Sequence, residues 1–207
     1  MNFKSADRAI KDMNRRNLRA FDRLKTLKFD ELNVFRLITT VYDDAVRIAK
    51  RRYLQIAWDA YIAALILAGI DPKEAEERAE DSITEDWILD MLEDYDEVTL
   101  YRFTAEIERK KDRFVEAVIA SHNKNEEVDR ALRYLSQQLA QYADNAVIRA
   151  TLQGYADAGV KKVRWTAEDD ERVCRVCEKR DGNIYPIDKV PPAPHFRCRC
   201  ILTPVFD

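Results

Sequence analysis

The sequence predicts a mainly α chain, a bundle of long helices followed by a small β-rich unit at the C-terminal end, α+β in overall class. Three observations carry this. The 207 residues include only four glycines and six prolines, and five of those prolines lie beyond residue 185. Over the first 158 residues apolar side chains recur at three- and four-residue steps, the period of a helix burying one face. All four cysteines fall between 174 and 200, with none in the preceding 173 residues. With 46% hydrophobic and 10% aromatic residues the chain has the means to bury a core. The expected division is a helical body over 1–158 and a small tail over 159–207.

Taken in order, residues 1–28 form a basic helix. Lys4, Arg8, Lys11, Arg15, Arg19 and Arg23 recur at three or four residues as one stripe, while Ile10, Met13, Phe21, Leu24 and Leu27 make a thinner apolar face. Such a stripe suits DNA phosphates or an acidic protein surface. It is equally a solvated face balanced by Asp7, Asp12 and Asp22. The stretch from Phe29 onward carries Leu32, Phe35, Ile38, Tyr42, Ala45, Ala49, Ile56, Ala60 and Ala64 at helical spacing, predicting one long amphipathic helix that stops at Gly69. Asp71 caps and Pro72 opens a short acidic helix. Further helical patterns run over 84–96, 98–121, and 126–143 on to about 158. Gly159 sits where a left-handed cap belongs. Behind it VKKVRW (160–165) alternates as a strand, GNIYPI (182–187) and RCILTPV (199–205) are the other strand candidates, and KVPPAPH (189–195) is an extended link.

Charge is balanced overall and uneven locally. There are 35 Lys/Arg against 38 Asp/Glu, a net of −3, which is not the profile of a bulk-basic nucleic-acid binder. Residues 1–55 hold fourteen basic against seven acidic side chains, and residues 71–97 hold two against thirteen. Two unlike faces meeting unlike partners, or each other, is one reading of that asymmetry. Solvated helix faces are the plain one. The sequence is charged from its fourth residue, which is not the pattern of a signal peptide. Its longest apolar run, 60–70, falls well short of the roughly 20 residues of a membrane span and reads as a buried helix. A protein made in the cytoplasm is expected, where clustered cysteines are more often metal ligands than disulfides.

The cysteine window has the grammar of a metal site. Cys174-x2-Cys177 is the spacing at which a tight turn offers two thiolates to one tetrahedral Zn²⁺. Cys198-x-Cys200 puts two sulfurs on one side of an extended strand, with His195 three residues before. Five candidates compete for four places. Arg172, Arg175, Arg197 and Arg199 interleave with them and favour the thiolate. Four protein ligands leave no position for water, so the site reads as structural and the tail as a zinc-knuckle-like unit, stapled because so few residues cannot hold a fold by burial alone. Disulfides remain the alternative. A catalytic zinc would want more histidines than His122 and His195.

The tail VRWTAEDDERVCRVCEKRDGNIYPIDKVPPAPHFRCRCILTPV resembles the C-terminal signature of the phage Mu F-like head morphogenesis proteins, or minor head proteins. The shared pattern is a strand with Trp165, acidic Asp169 and Asp170, Cys174-x2-Cys177, Asp181-Gly182, and a P-x-x-H-x-x-C-x-C element formed by Pro192, His195, Cys198 and Cys200. The specific likeness covers about 145–205. It implies a virion component and not an enzyme: a phage or prophage minor head protein associated with the portal and the capsid or scaffold, with contact to packaged double-stranded DNA also proposed for the family. The chain is short for that family, so any extra domain of longer members is expected to be absent. The runner-up is a zinc-knuckle nucleic-acid-binding protein or a His-metal nuclease, which needs a second histidine and an Asn, with Asn183 the one nearby.

Overall fold

The structure, a computed structural model, describes residues 4–26, 31–94, 103–121, 124–168, 171–195 and 198–206. Helix α1 (Lys4–Thr26) is followed by α2 (Glu31–Leu67), α3 (Pro72–Ser82), α4 (Glu85–Glu93), α5 (Phe103–Ala120) and α6 (Lys124–Asp157). Strand β1 (Lys162–Thr166), helix α7 (Arg175–Arg180), strand β2 (Ile184–Pro186), a 3₁₀ turn over Ile187–Lys189 and strand β3 (Ile201–Val205) make the tail. The expected helix-then-sheet order is what is seen, and the patterns over 126–143 and onward form one continuous helix.

Glycine ends the two longest helices in the same manner. Gly69 takes φ +94° and Gly159 φ +79°, a region closed to most side chains. In each case the next amide reaches back to the last turn, Ile70 N to the Leu65 carbonyl at 3.0 Å and Val160 N to the Tyr155 carbonyl at 2.9 Å. These are Schellman caps, and they turn the chain sharply into α3 and into β1. At the other end of the first turn the Asp71 carboxylate accepts from Lys73 N at 2.9 Å, so Pro72 loses nothing by lacking an N–H.

Helices α2 and α6 pack along each other, with α1 and α5 against both and α3 against α2. The main core holds Ile38, Tyr42, Tyr53 and Ile56 of α2 with Leu135, Leu139, Tyr142 and Ala146 of α6. The Tyr53 hydroxyl donates to the Leu139 carbonyl at 2.7 Å. Residues 138–144 of α6 are buried without a break, so Gln138, Gln141 and Asp144 are enclosed along with the apolar positions. Two expectations for α2 need correction. Phe35 is exposed, as is one side of the 60–70 run at Ile66 and Leu67, because there the neighbours cover a single face of the helix. The side chains of Leu32, Phe21, Leu24 and Leu27 lie outside the described residues, as does His122. No described helix is long and apolar enough to cross a membrane.

The tail is a three-stranded antiparallel sheet of order β2-β1-β3. Alternation sends Val163 and Trp165 of β1 inward and Lys162 and Arg164 outward. A second apolar cluster forms beneath the sheet from Val160, Val163, Trp165, Cys177, Cys198 and Leu202, and it includes Ala64 of α2 and Tyr155 of α6. The Tyr155 hydroxyl donates to the Leu202 carbonyl at 3.1 Å. The sheet therefore sits on the capped ends of the two long helices, and the cysteines face that junction.

Candidate metal centre

Each arm of the cysteine window is held by a different local device. Cys174 is the N-cap of α7, and its sulfur accepts from the Cys177 amide at 3.3 Å. The short helix then carries Cys177 inward to 2% exposure. Behind α7, Gly182 at φ +73° turns the chain so that its amide donates to the Trp165 carbonyl at 2.8 Å. The Asp181 carboxylate accepts from Ala167 N at 2.8 Å, closing the same turn. The second arm enters through the proline link. Arg180 donates to the Pro192 carbonyl at 2.7 Å while its guanidinium lies 5.0 Å from the Trp165 ring centre, clamping link and strand together. Cys198 and Cys200 then come just before β3, which starts at Ile201 and not at Arg199 as the sequence pattern suggests. Both sulfurs turn toward Cys177, so they converge without the strand that was expected to align them.

Five donors gather in this way. Cys174, Cys177 and His195 place their ligand atoms within 4.8 Å of one another, and so do Cys177, Cys198 and Cys200. The two triads share Cys177 and no other member. The Cys177 sulfur lies 3.5 Å from His195 Nε2 and 3.7 Å from the Cys198 sulfur. An ion bound tetrahedrally at usual zinc distances sets its sulfur–sulfur edges at about 3.8 Å and its sulfur–nitrogen edges at about 3.6 Å. The two separations measured from Cys177 match these edges, and each triad gathers three donors closely enough to hold an ion. A cavity of about 50 Å³ opens among Cys174, Cys177, His195 and Cys200, with Arg172 and Arg199 also on its wall. Cys198 lines instead a neighbouring cavity of about 70 Å³, apolar, beside Trp165 and Leu202.

The electrostatics differ from one thiol to the next. The Cys177 amide, aimed at the sulfur of Cys174, pulls that thiol down to about 7, with help from the Val176 amide and the His195 charge. Burial drives Cys177 far above the ordinary thiol range, and hydrogen bonds with Cys200 and Cys174 add to it. Burial likewise pushes Cys198 up to about 11. Without an ion, two buried thiols stay protonated around a thiolate-prone rim. A divalent cation would displace those protons, the usual coupling of metal binding to proton release.

The other expected site residues lie elsewhere. Arg8, Lys11, Arg15 and Arg19 are exposed on α1, remote in sequence from the centre, and the side chains of Lys4 and Arg23 lie outside the described residues. Asp169, Asp170 and Arg197 also lie outside them. Asn183 is committed locally, its amide donating to the Lys179 carbonyl at 3.1 Å and standing 3.3 Å from the Tyr185 hydroxyl. Arg180 was not picked out from the sequence. Its signal was available in the basic last turn that follows Cys177, but its target at Pro192 is visible only once the link folds back.

Residues 105–203 match the family described as Phage Mu protein F like protein. This segment contains α5 from Ala105 onward, α6 and the whole Cys/His cluster, and it reaches well upstream of the likeness read from the tail alone. An uncharacterized protein of Haemophilus influenzae is 38% identical over 58 residues, 26% of this chain. The matched stretch spans 13% of that protein's length. No solved structure matches the chain.

Proposed function

We propose that this chain is a minor head protein of a phage or prophage, acting in head morphogenesis at the portal, with a structural zinc ion shaping its C-terminal unit. The observation that carries the reading is that the segment matching the Mu F-like family contains the converged Cys/His cluster. Cys177 holds the ion in any arrangement, with Cys174 the second ligand and two of His195, Cys198 and Cys200 completing it. Bound zinc in such a set supplies rigidity and no open coordination position. The chain's own residues do the rest: Arg180 and Trp165 fix the link, and Tyr155 fixes the sheet to the helices. The protein acts without catalysis, in the virion after synthesis in the host cytoplasm, with portal and capsid or scaffold as its partners. Packaged double-stranded DNA is a further partner that the family likeness suggests.

The test is binding to a purified phage portal protein. Co-sedimentation of the two at moderate salt is the expected result. Absence of association with both portal and capsid would overturn the reading. The nuclease alternative is weakened by the commitment of Asn183 to Lys179 and Tyr185, and it predicts metal-dependent plasmid nicking lost in His195→Ala. The expected outcome is intact plasmid.

A further inference from the structure

The two charged faces of this chain match each other better than either is matched within one copy. Helix α1 has eight Lys/Arg against three Asp. It turns Ala9, Ile10 and Met13 to the core and leaves Arg8, Lys11, Arg15 and Arg19 exposed. Of these, Arg8, Lys11 and Arg19 make no ion pair among the described residues, and Arg15 has Asp12 alone, at 4.0 Å. Residues 71–94 hold eleven acidic side chains against two basic ones. Helix α3 buries Ala75 and Ala79, and α4 buries Ile88, Met91 and Leu92. Both cations of this stretch are already used, Lys73 on Glu77 and Arg78 on Glu74. That leaves Glu76, Glu80, Asp81, Glu85, Asp86 and Asp90 exposed and without ion pairs among the described residues.

We infer that this chain self-associates head to tail, the α1 stripe of one copy lying on the acidic outer face of α3 and α4 in the next. The dimensions agree. Arg8 to Arg19 covers about 16 Å along α1, and the eleven residues of α3 cover about 16 Å. Arg15 and Arg19 are four residues apart, and so are Glu76 and Glu80, so both sets form stripes of one helical pitch. The faces do not neutralise each other in one copy. Helix α1 packs on α2 and α6, while α3 packs on α2 and is tied there where Ser82 meets the Tyr61 hydroxyl at 3.0 Å. Phosphates are a poorer match for α1, because Asp7, Asp12 and Asp22 interrupt the stripe and the chain as a whole is negative. A contact between two different patches repeats, so it closes into a ring or extends as a filament. The inference rests on these charges and not on the head-assembly reading.

Sedimentation of the full chain tests it. Mass should rise with concentration at about 0.01 M salt, where charge reaches some 30 Å, and fall to the monomer near 1 M, where it reaches about 3 Å. Arg15→Glu with Arg19→Glu should give a monomer at low salt, and so should Glu76→Lys with Glu80→Lys, each with unchanged helical circular dichroism. An equimolar mixture of the two variants should associate again, since each then offers what the other lacks. A wild-type chain that stays monomeric at low salt overturns the inference, as does a mixture that stays dispersed. Wild-type monomers that retain duplex DNA, with retention lost in the α1 variant, would overturn it in favour of a DNA face.

Discussion

Gly154 of α6 meets Tyr61 of α2 so closely that a Cβ on the glycine would stand 2.9 Å from the Tyr61 carbonyl oxygen and 2.9 Å from the Ala64 Cβ. The contact lies one turn before the sheet-bearing end of α6, so it sets how near the long helices come where the tail is seated. In an open helix, alanine for glycine gains about 1 kcal/mol. Here a backbone oxygen is in the way, and overpacking costs about 1–3 kcal/mol. Gly154→Ala should therefore lower the urea midpoint with helical content intact. A raised midpoint would show that the helices part freely at this point.

Cys177 belongs to both triads, so retention of the proposed ion should depend on it first. Cys177→Ser should abolish zinc retention in elemental analysis of freshly purified protein. Five donors serve four places, so one of the single replacements His195→Ala, Cys198→Ser and Cys200→Ser should keep the metal at one ion per chain while the other two lose it. Retention in Cys177→Ser would remove the shared-ligand geometry.

Tyr155 links sheet and helix, and its titration gives that link a pH signature. Burial raises the hydroxyl from its ordinary value of 10.0 to about 12. A folded-state pKa above the unfolded one means the contribution is whole below pH 10 and is lost as pH rises through about 12. Tyr155→Phe should be less stable than wild type by about 1–2 kcal/mol near neutrality, since it leaves the Leu202 carbonyl unpaired. The gap between the two proteins should narrow above pH 10. Denaturation midpoints measured at pH 8 and pH 11 check this, and a gap that widens with pH would contradict the assignment.

The helices were legible because their signals are local. Spacing gave α2 and α6, and Gly69, Asp71, Pro72 and Gly159 stood where caps and turns require them. The gathering of the four cysteines with His195 was legible from their spacing, although the geometry behind it was not: Cys198 and Cys200 converge ahead of β3 and not along it. What the sequence hid depends on packing between distant segments. Gly154 reads as a defect in a helix until Tyr61 is beside it, and Arg180 reads as one more surface charge until Pro192 and Trp165 are in place. Phe35 fits the helical period and is still 48% exposed, because periodicity alone carries no information about neighbours.

Removal of the proposed ion should loosen the tail and spare the body, and the two apolar clusters predict where the boundary falls. Val163, Trp165, Cys177, Cys198 and Leu202 form most of that cluster, so loss of the proposed ion would free at least Cys177 among its buried members. The main core around Tyr53 and Leu139 contains no part of the tail. After chelation, amides of β1 and β3 should exchange with solvent at rates near those of an open chain, and Trp165 fluorescence should move to longer wavelength. Amides of α2 and α6 around Tyr53 and Leu139 should keep their protection, with only the last turn before Gly159 loosening. Structural zinc in small folded units is worth about 10–16 kcal/mol at neutral pH, far more than a three-stranded sheet of this size supplies by itself. Loss of protection throughout α2 and α6 would show one cooperative unit. Full protection of the sheet without metal would show that burial on α2 and α6 suffices to hold it.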